Sequence, residues 1–263
     1  MAENFDTAMD RPHDCFVIVD GDRSVPLLLL CEHAGNELPE SYGFLGLAPE
    51  DLATHWAYDP GIAGVHGAAC AAAHCVGIRS RMSRLLVDLN RPSAHAHLTR
   101  PHIGSGDPGD PVRRVPANCD LAAAERAWRL RSFYRPYHYA ANALGDELAA
   151  RHSERFLLVS FHSFTPVFGA EDRGFDVGVL YGDRGEIAEA LLDLFLRAGL
   201  RTRLNEPYSG LRGEDFSPRM HSVALGAPYV EIELNQATIA TPSRQLEIGE
   251  IAATALRHLL SHW

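Results

Sequence analysis

Phe156-Leu157-Leu158-Val159-Ser160-Phe161-His162-Ser163-Phe164-Thr165-Pro166 decides the fold class of this chain. A mostly apolar run leads into a histidine, and a turn follows. A strand buried on both faces reads as a continuous apolar run, so the stretch predicts a central strand that delivers His162 to a site. Pro26-Leu27-Leu28-Leu29-Leu30-Cys31-Glu32-His33 repeats the pattern and runs into Ala34-Gly35-Asn36. Two such strands, each finishing on histidine, predict one site built from separated parts of the chain.

Around them, strand patterns at Cys15 to Val19, Cys75 to Arg79, Leu85 to Arg91, Phe175 to Tyr181 and Pro228 to Asn235 are interspersed with helical ones. Asp59-Pro60-Gly61 reads as the start of an alanine-rich helix reaching about His74, with Asp59 as N-cap and Pro60 at the first helical position. Asp120 is expected to cap a helical stretch to about His152, interrupted at Pro136. Glu186 to Ala198 reads as an amphipathic helix stopped by Gly199, and a last helix starts at Pro242 or Ser243 and reaches about Ser261. Strands interleaved with helices predict the α/β class, as a three-layer α/β/α sandwich around a mixed, mostly parallel central sheet. One domain is expected over residues 1–263. Residues 1–24 would form a lead-in, and the Pro-, Gly- and His-rich residues 92–118 a long loop and candidate lid. Ligands of such sheets sit at the carboxyl ends of the strands, where His33, His162 and Glu233 fall.

Composition narrows the function. The 263 residues are 46% hydrophobic and 22% charged, with a formal net charge of -10. That suits a globular core and argues against nucleic acid as a partner. No apolar run approaches the roughly 20 residues of a bilayer span, and Met1 to Asp6 lacks the basic and apolar regions of a signal peptide. Five cysteines without a C-x-x-C pair predict free thiols in a reducing, cytoplasmic setting. All 24 basic residues are arginine. A Schiff-base lysine, a Ser-Lys dyad and a Walker A lysine are therefore excluded.

A lone histidine at a strand end is ordinarily structural. Two at equivalent ends, joined by an acidic residue, match a catalytic zinc site with three N/O ligands and an open position. Four carboxylates compete for the acidic place. Glu37 lies four residues after His33, and Glu32 should point away from His33 if both are on a strand. Asp88 lies within a strand pattern, and Asp59 has helix capping as its ordinary role. Glu231 and Glu233 share one strand face. Burying a carboxylate there is costly unless it is paired or used, so one of them is a candidate general base, with an exposed edge strand as the plain alternative. Arg79, Arg81, Arg84 and Arg91 gather guanidinium charge suited to bidentate capture of a carboxylate. Arg212, in the glycine-punctuated Tyr208 to Gly213, adds another. Ser160 and Ser163 lack a G-x-S-x-G elbow, and Cys31 sits in an apolar strand.

Five motifs in order carry a resemblance: Cys31-Glu32-His33-Ala34-Gly35-Asn36, His55 with Tyr58-Asp59-Pro60-Gly61, Asp88-Leu89-Asn90-Arg91, His162-Ser163-Phe164, and Glu231-Ile232-Glu233-Leu234-Asn235-Gln236. Over about residues 25 to 240 the chain resembles the N-formylglutamate amidohydrolase family. The resemblance implies the phosphorylase/hydrolase-like fold of zinc carboxypeptidases and aspartoacylases. It implies hydrolysis of the amide of an N-acyl amino acid such as N-formylglutamate. It also implies Zn²⁺ held by His33, Asp59 and His162, which replaces the capping role of Asp59. Glu233 would be the general base, and Arg91, with Arg84 and Arg212, would hold the substrate carboxylate. Related carboxypeptidases carry a glutamate three residues after the first histidine; here that position is Asn36, which joins the substrate-binding set. The rival expectations are a deacylase of a different N-acyl amino acid or peptide end, a non-catalytic metal- or amino-acid-binding module, and a thiol enzyme using Cys31.

Overall fold

The computed structural model describes residues 15–107, 109–152 and 155–262; the lead-in before residue 15 lies outside them. Leu27–Cys31 (β2) is wholly buried. Its odd and even positions face different layers. Leu27, Leu29 and Cys31 pack in one apolar cluster, and Leu28 and Leu30 in a second on the opposite face. A strand covered on both faces needs apolar residues at every position, which is why this one reads as an unbroken leucine run.

The strands in chain order are β1 (Phe16–Val19), β2, β3 (Val76–Ser80), β4 (His102–Ile103), β5 (Arg113–Arg114), β6 (Leu157–Phe164), β7 (Val167–Phe168), β8 (Glu171–Asp172), β9 (Val177–Leu180), β10 (Thr202–Leu204) and β11 (Tyr229–Asn235). Seven of them form one sheet in the order β1-β3-β2-β6-β11-β9-β10. Strands β3, β2, β6 and β11 are mutually parallel. Strand β1 runs against β3, and β9 against β11, with β10 parallel to β9. β4 pairs with β5 and β7 with β8 as small separate hairpins.

The helices are α1 (Ile62–Ala73), α2 (Ala123–Arg129), α3 (Arg135–His152), α4 (Gly185–Arg197), α5 (Phe216–Leu225) and α6 (Pro242–Ser261). Side chains of α1, α4 and α6 pack with Leu29, Val159 and Ile232 on one face. Residues of α3 pack with Leu28, Leu30 and Leu158 on the other. The result is the three-layer α/β/α sandwich with a mixed, mostly parallel sheet. Helices α1 and α6 cross closely at Gly249, where a Cβ would lie 2.5 Å from the Cβ of Ala68.

Several local expectations are corrected. Leu85 to Arg91 is not a strand. Its carbonyls and amides turn locally, with Leu86 N–H bonded to Ser83 O at 3.0 Å and Asn90 N–H to Asp88 Oδ1 at 2.9 Å. Its apolar side chains are buried, but Leu85 and Leu86 go into different clusters, which a run of hydrophobic letters does not reveal. Gly61, in the left-handed region at φ 84°, caps α1 without a side-chain bond, so Asp59 is free for other work. Asp120 does not cap α2, whose N-cap is Ala122. The interruption before α3 is a π-helical turn at Leu130–Tyr134. Pro136 lacks the N–H that the carbonyl four residues earlier would accept, and a wider turn just upstream absorbs the loss. Strand β6 continues through Phe164, so His162 lies inside it. Strand β11 is central and buried, not an exposed edge. Among the described residues no helix is long and apolar enough to cross a membrane.

Candidate active site

Parallel β6 and β11 are in register with His162 opposite Glu233 and Ser160 opposite Glu231. These four side chains share the sheet face that carries α3, near the carboxyl ends of the strands. His33 lies just past β2 in a turn that also holds Gly35, where a Cβ would overlap the Arg81 carbonyl. That close approach seats the turn against the segment leaving β3. Asp59 is fixed by its backbone, its N–H donating to His33 O at 2.9 Å.

Three donor atoms converge. His33 Nδ1 and His162 Nδ1 are 3.1 Å apart, His162 Nδ1 and Asp59 Oδ2 are 2.9 Å apart, and His33 Nδ1 and Asp59 Oδ2 are 3.7 Å apart. All three residues are buried. Two imidazole nitrogens and one carboxylate oxygen at the edge lengths of a coordination polyhedron suit a divalent ion of the zinc class. The far nitrogens support that reading. His33 Nε2 lies 2.7 Å from Asp88 Oδ1, and His162 Nε2 lies 3.2 Å from Glu32 Oε2. Carboxylates behind both imidazoles orient the rings and raise their basicity, as second-layer partners of metal-ligating histidines do. Glu32 in turn accepts from Ser160 Oγ at 2.6 Å and Ser217 Oγ at 2.7 Å.

The electrostatics favour a cation between these ligands. Burial opposes a charged His162, yet Glu231, Asp59 and Glu32 outweigh it and raise its pKa well above the ordinary imidazole value. Burial would likewise raise Asp59, but Arg84, His162 and His33 hold it well below the usual carboxylate range. Arg84 Nη2 donates directly to Asp59 Oδ1.

Glu233 is buried, and its Oε2 has no hydrogen-bond partner among the described residues. Burial and the nearby Asp59 raise its pKa to about 7, against the pull of His162, Arg84 and Arg173. It lines a cavity of about 290 Å³ together with His33, Asp59, His162, Arg84 and Arg91. Gly178 pairs with it on β9, where a Cβ would overlap the Glu206 carbonyl.

The family profile for N-formylglutamate amidohydrolase matches residues 25–240. The chain belongs to that family. It is an amidohydrolase by kinship, and its fold recurs in solved structures. Gene product Atu2144 from Agrobacterium tumefaciens is 28% identical, with 95% of this chain and 96% of that one covered and a TM-score of 0.85. The N-formylglutamate amidohydrolase from Ralstonia eutropha JMP134 is 17% identical, with 93% and 98% covered and a TM-score of 0.63, a likeness of fold. No curated protein matches the chain by sequence.

In this family member, the residues singled out from sequence are distributed as follows. His33, Asp59, His162, Glu233, Arg84 and Arg91 meet around the one cavity. Asn36 turns away, its Nδ2 donating to Leu52 O at 2.8 Å. Arg212 is exposed and paired with Glu214 at 2.8 Å, and it is Glu214 that reaches the cavity. Glu37 is exposed and paired with Arg81 at 2.9 Å. Cys31 is fully buried on the opposite face, and burial pushes its thiol pKa well up, which leaves it inert.

The sequence pointed at neither Trp56 nor Arg100, both of which line the cavity, nor at Ser217 behind Glu32. Trp56 stood inside the quoted His55 motif, but nothing marked its ring. Arg100 lay in the long loop, where only contact with the cavity distinguishes it from a solvated arginine. Arg173 was also unmarked. Its guanidinium sits among Phe164, Phe168 and Tyr208 at 5.8, 5.2 and 5.4 Å from the ring centroids.

Proposed function

We propose that this chain is a zinc-dependent amidohydrolase that cleaves the amide of an N-acyl amino acid, with N-formylglutamate as the leading substrate. The observation that carries the reading is the meeting of His33, Asp59 and His162 with an unpartnered, buried Glu233 in one arginine-lined cavity. His33 and His162 would hold the ion through Nδ1 and Asp59 through Oδ2. Zn²⁺ held there supplies Lewis acidity, which polarises a carbonyl and brings the pKa of water from about 15.7 to roughly 7. Glu233 takes a proton from the attacking water and delivers it to the leaving amine, so the acyl group departs as a carboxylate and the amino acid as its free amine. Its pKa near 7 suits both halves of that transfer. Arg84 brings positive charge to the developing oxyanion. Arg91, whose Nε makes no hydrogen bond among the described residues, receives a substrate carboxylate.

Metal analysis with an N-formylglutamate hydrolysis assay tests this. Wild type should carry zinc and turn over, and His33→Ala and His162→Ala should lose both. Glu233→Gln should keep the metal and lose about 10²- to 10⁴-fold in rate. Equal zinc in wild type and both histidine variants refutes the metal, and undiminished turnover in Glu233→Gln refutes the base.

A second reading is a deacylase for larger N-acyl amino acids or a peptide end. Val167, Phe168, Tyr208 and Leu211 favour it, since these exposed apolar side chains stand on the hairpin and loop that supply Phe168 and Tyr208 to the cavity. A panel of acyl groups from formyl to aromatic, compared by kcat/KM, separates the two.

A further inference from the structure

A cation drawn partly out of water ordinarily has an anionic or hydrogen-bonding partner, and among the described residues two half-buried guanidiniums at this cavity fall short of that. Among the described residues Arg91 reaches only Asp88, at 4.0 Å. The side-chain nitrogens of Arg100 meet no acceptor among the described residues. Arg84, the third guanidinium in the lining, is taken up by Asp59. Burial, with Arg84 and Arg91 adding to it against the pull of Asp88, holds the Arg100 pKa below its ordinary value. Cations gathered without partners suit an anion that carries more than one charge.

Arg100 is also held in place from both ends. Its carbonyl accepts from Asn118 Nδ2 at 2.9 Å, and the same amide donates to Leu85 O at 2.7 Å. Asn118 Oδ1 accepts from the buried Arg129 Nη1 at 2.6 Å. Val115 N–H bonds to Pro101 O at 2.8 Å. The guanidinium lies over the Trp56 ring, 5.5 Å from its centroid, and Trp56 Nε1 donates to Asp110 Oδ2 at 3.1 Å. Stacking on an aromatic face leaves the in-plane N–H groups of arginine available for a forked grip on a carboxylate. The long loop therefore presents a fixed, unsatisfied fork to the cavity.

We propose that Arg100 is the specificity-determining residue for a second substrate carboxylate: Arg91 takes one carboxylate and Arg100 the other, so that N-acyl derivatives of acidic amino acids are selected over neutral ones. This rests on the reading of the site as an N-acyl amino acid hydrolase, but it can be tested without turnover. Glutarate and its monoamide, glutaramate, match in length and differ by one charge. Calorimetric titration of the zinc-loaded wild type should show glutarate binding roughly 10- to 150-fold more tightly, the range of one charge-assisted hydrogen bond. Arg100→Met should bring the two ligands within twofold, and Arg100→Lys should retain part of the preference. Arg100→Gln replaces the methionine variant if that one does not fold. Equal binding of both ligands to wild type, or a full preference surviving in Arg100→Met, overturns the proposal.

Turnover then separates this inference from the function beneath it. A glutarate preference that depends on Arg100, with no hydrolysis of any N-acyl amino acid, removes the proposed substrate and keeps the Arg100 assignment. Equal kcat/KM on N-formylglutamate and N-formylglutamine, with no glutarate preference, keeps the hydrolase and removes Arg100.

Discussion

Asp88→Asn isolates the charge behind a metal ligand. The Asp88 carboxylate is buried and sits 2.7 Å from His33 Nε2, on the side of the ring away from the ligand triangle. An asparagine there keeps an oxygen for the His33 Nε2–H and for the Asn90 N–H that Oδ1 accepts at 2.9 Å. The ring orientation and tautomer survive, and only the negative charge is lost. A hydrogen bond to a charged group contributes about 1.5–3 kcal/mol against roughly 0.5–1.5 kcal/mol for a neutral one. The difference bears on how basic His33 Nδ1 is toward a cation. Changes at such carboxylates cost about 10- to 100-fold in metal affinity, or roughly 1.4–2.7 kcal/mol.

The assay is competition for Zn²⁺ with a chromophoric chelator, with circular dichroism to verify the fold. Asp59→Asn is the companion variant, because Asp59 Oδ2 belongs to the triangle itself, and it should lose more. A zinc Kd for Asp88→Asn within twofold of wild type refutes the electrostatic argument. If Asp88→Asn abolishes binding while Asp59→Asn spares it, the two carboxylates have exchanged roles.

Other predictions are more local. Glu233 must be ionised to accept a proton, so kcat/KM should rise with pH as Glu233 deprotonates. The midpoint should fall at or below about 7, since a divalent ion nearby favours the carboxylate, and a flat profile from pH 5 to 8 refutes this. His66 is buried in α1, where burial lowers its pKa from 6.5 to about 4. The unfolded chain therefore gains a proton below 6.5 that the folded one does not take until about 4. Wild type should lose about 1.4 kcal/mol per pH unit relative to His66→Gln between pH 6 and 4.5, read from urea denaturation, and parallel stability curves would refute it. Gly249→Ala should destabilise by about 1–3 kcal/mol, because the new methyl meets Ala68 across the α1–α6 seam, and an unchanged thermal midpoint would show that the seam can open.

Sequence alone determined the elements whose chemistry is local or periodic. The leucine run of β2 and the apolar run of β6 read as strands covered on both faces, and their order among helices pointed to a layered α/β sheet. Five short motifs in order carried the resemblance to the family, and the absence of lysine fixed which cations could serve the site. Tertiary structure decided what depends on packing between distant segments. Leu85 to Arg91 is apolar enough for a strand, yet its side chains fill separate clusters and its backbone bends to bring Asp88 behind His33. Strand alternation would set Glu32 apart from His33, but β2 ends at Cys31 and both lie in the turn beyond it, so each reaches a different nitrogen of His162. Arg100 and Arg212 look alike in sequence, both in glycine- and proline-punctuated loops. One lies over Trp56 with no acceptor among the described residues, and the other pairs with Glu214 in solvent. The residue types were written in the chain; which charges were left unpaired depended on long-range contacts, because a partner's identity is a property of the fold and not of neighbouring letters.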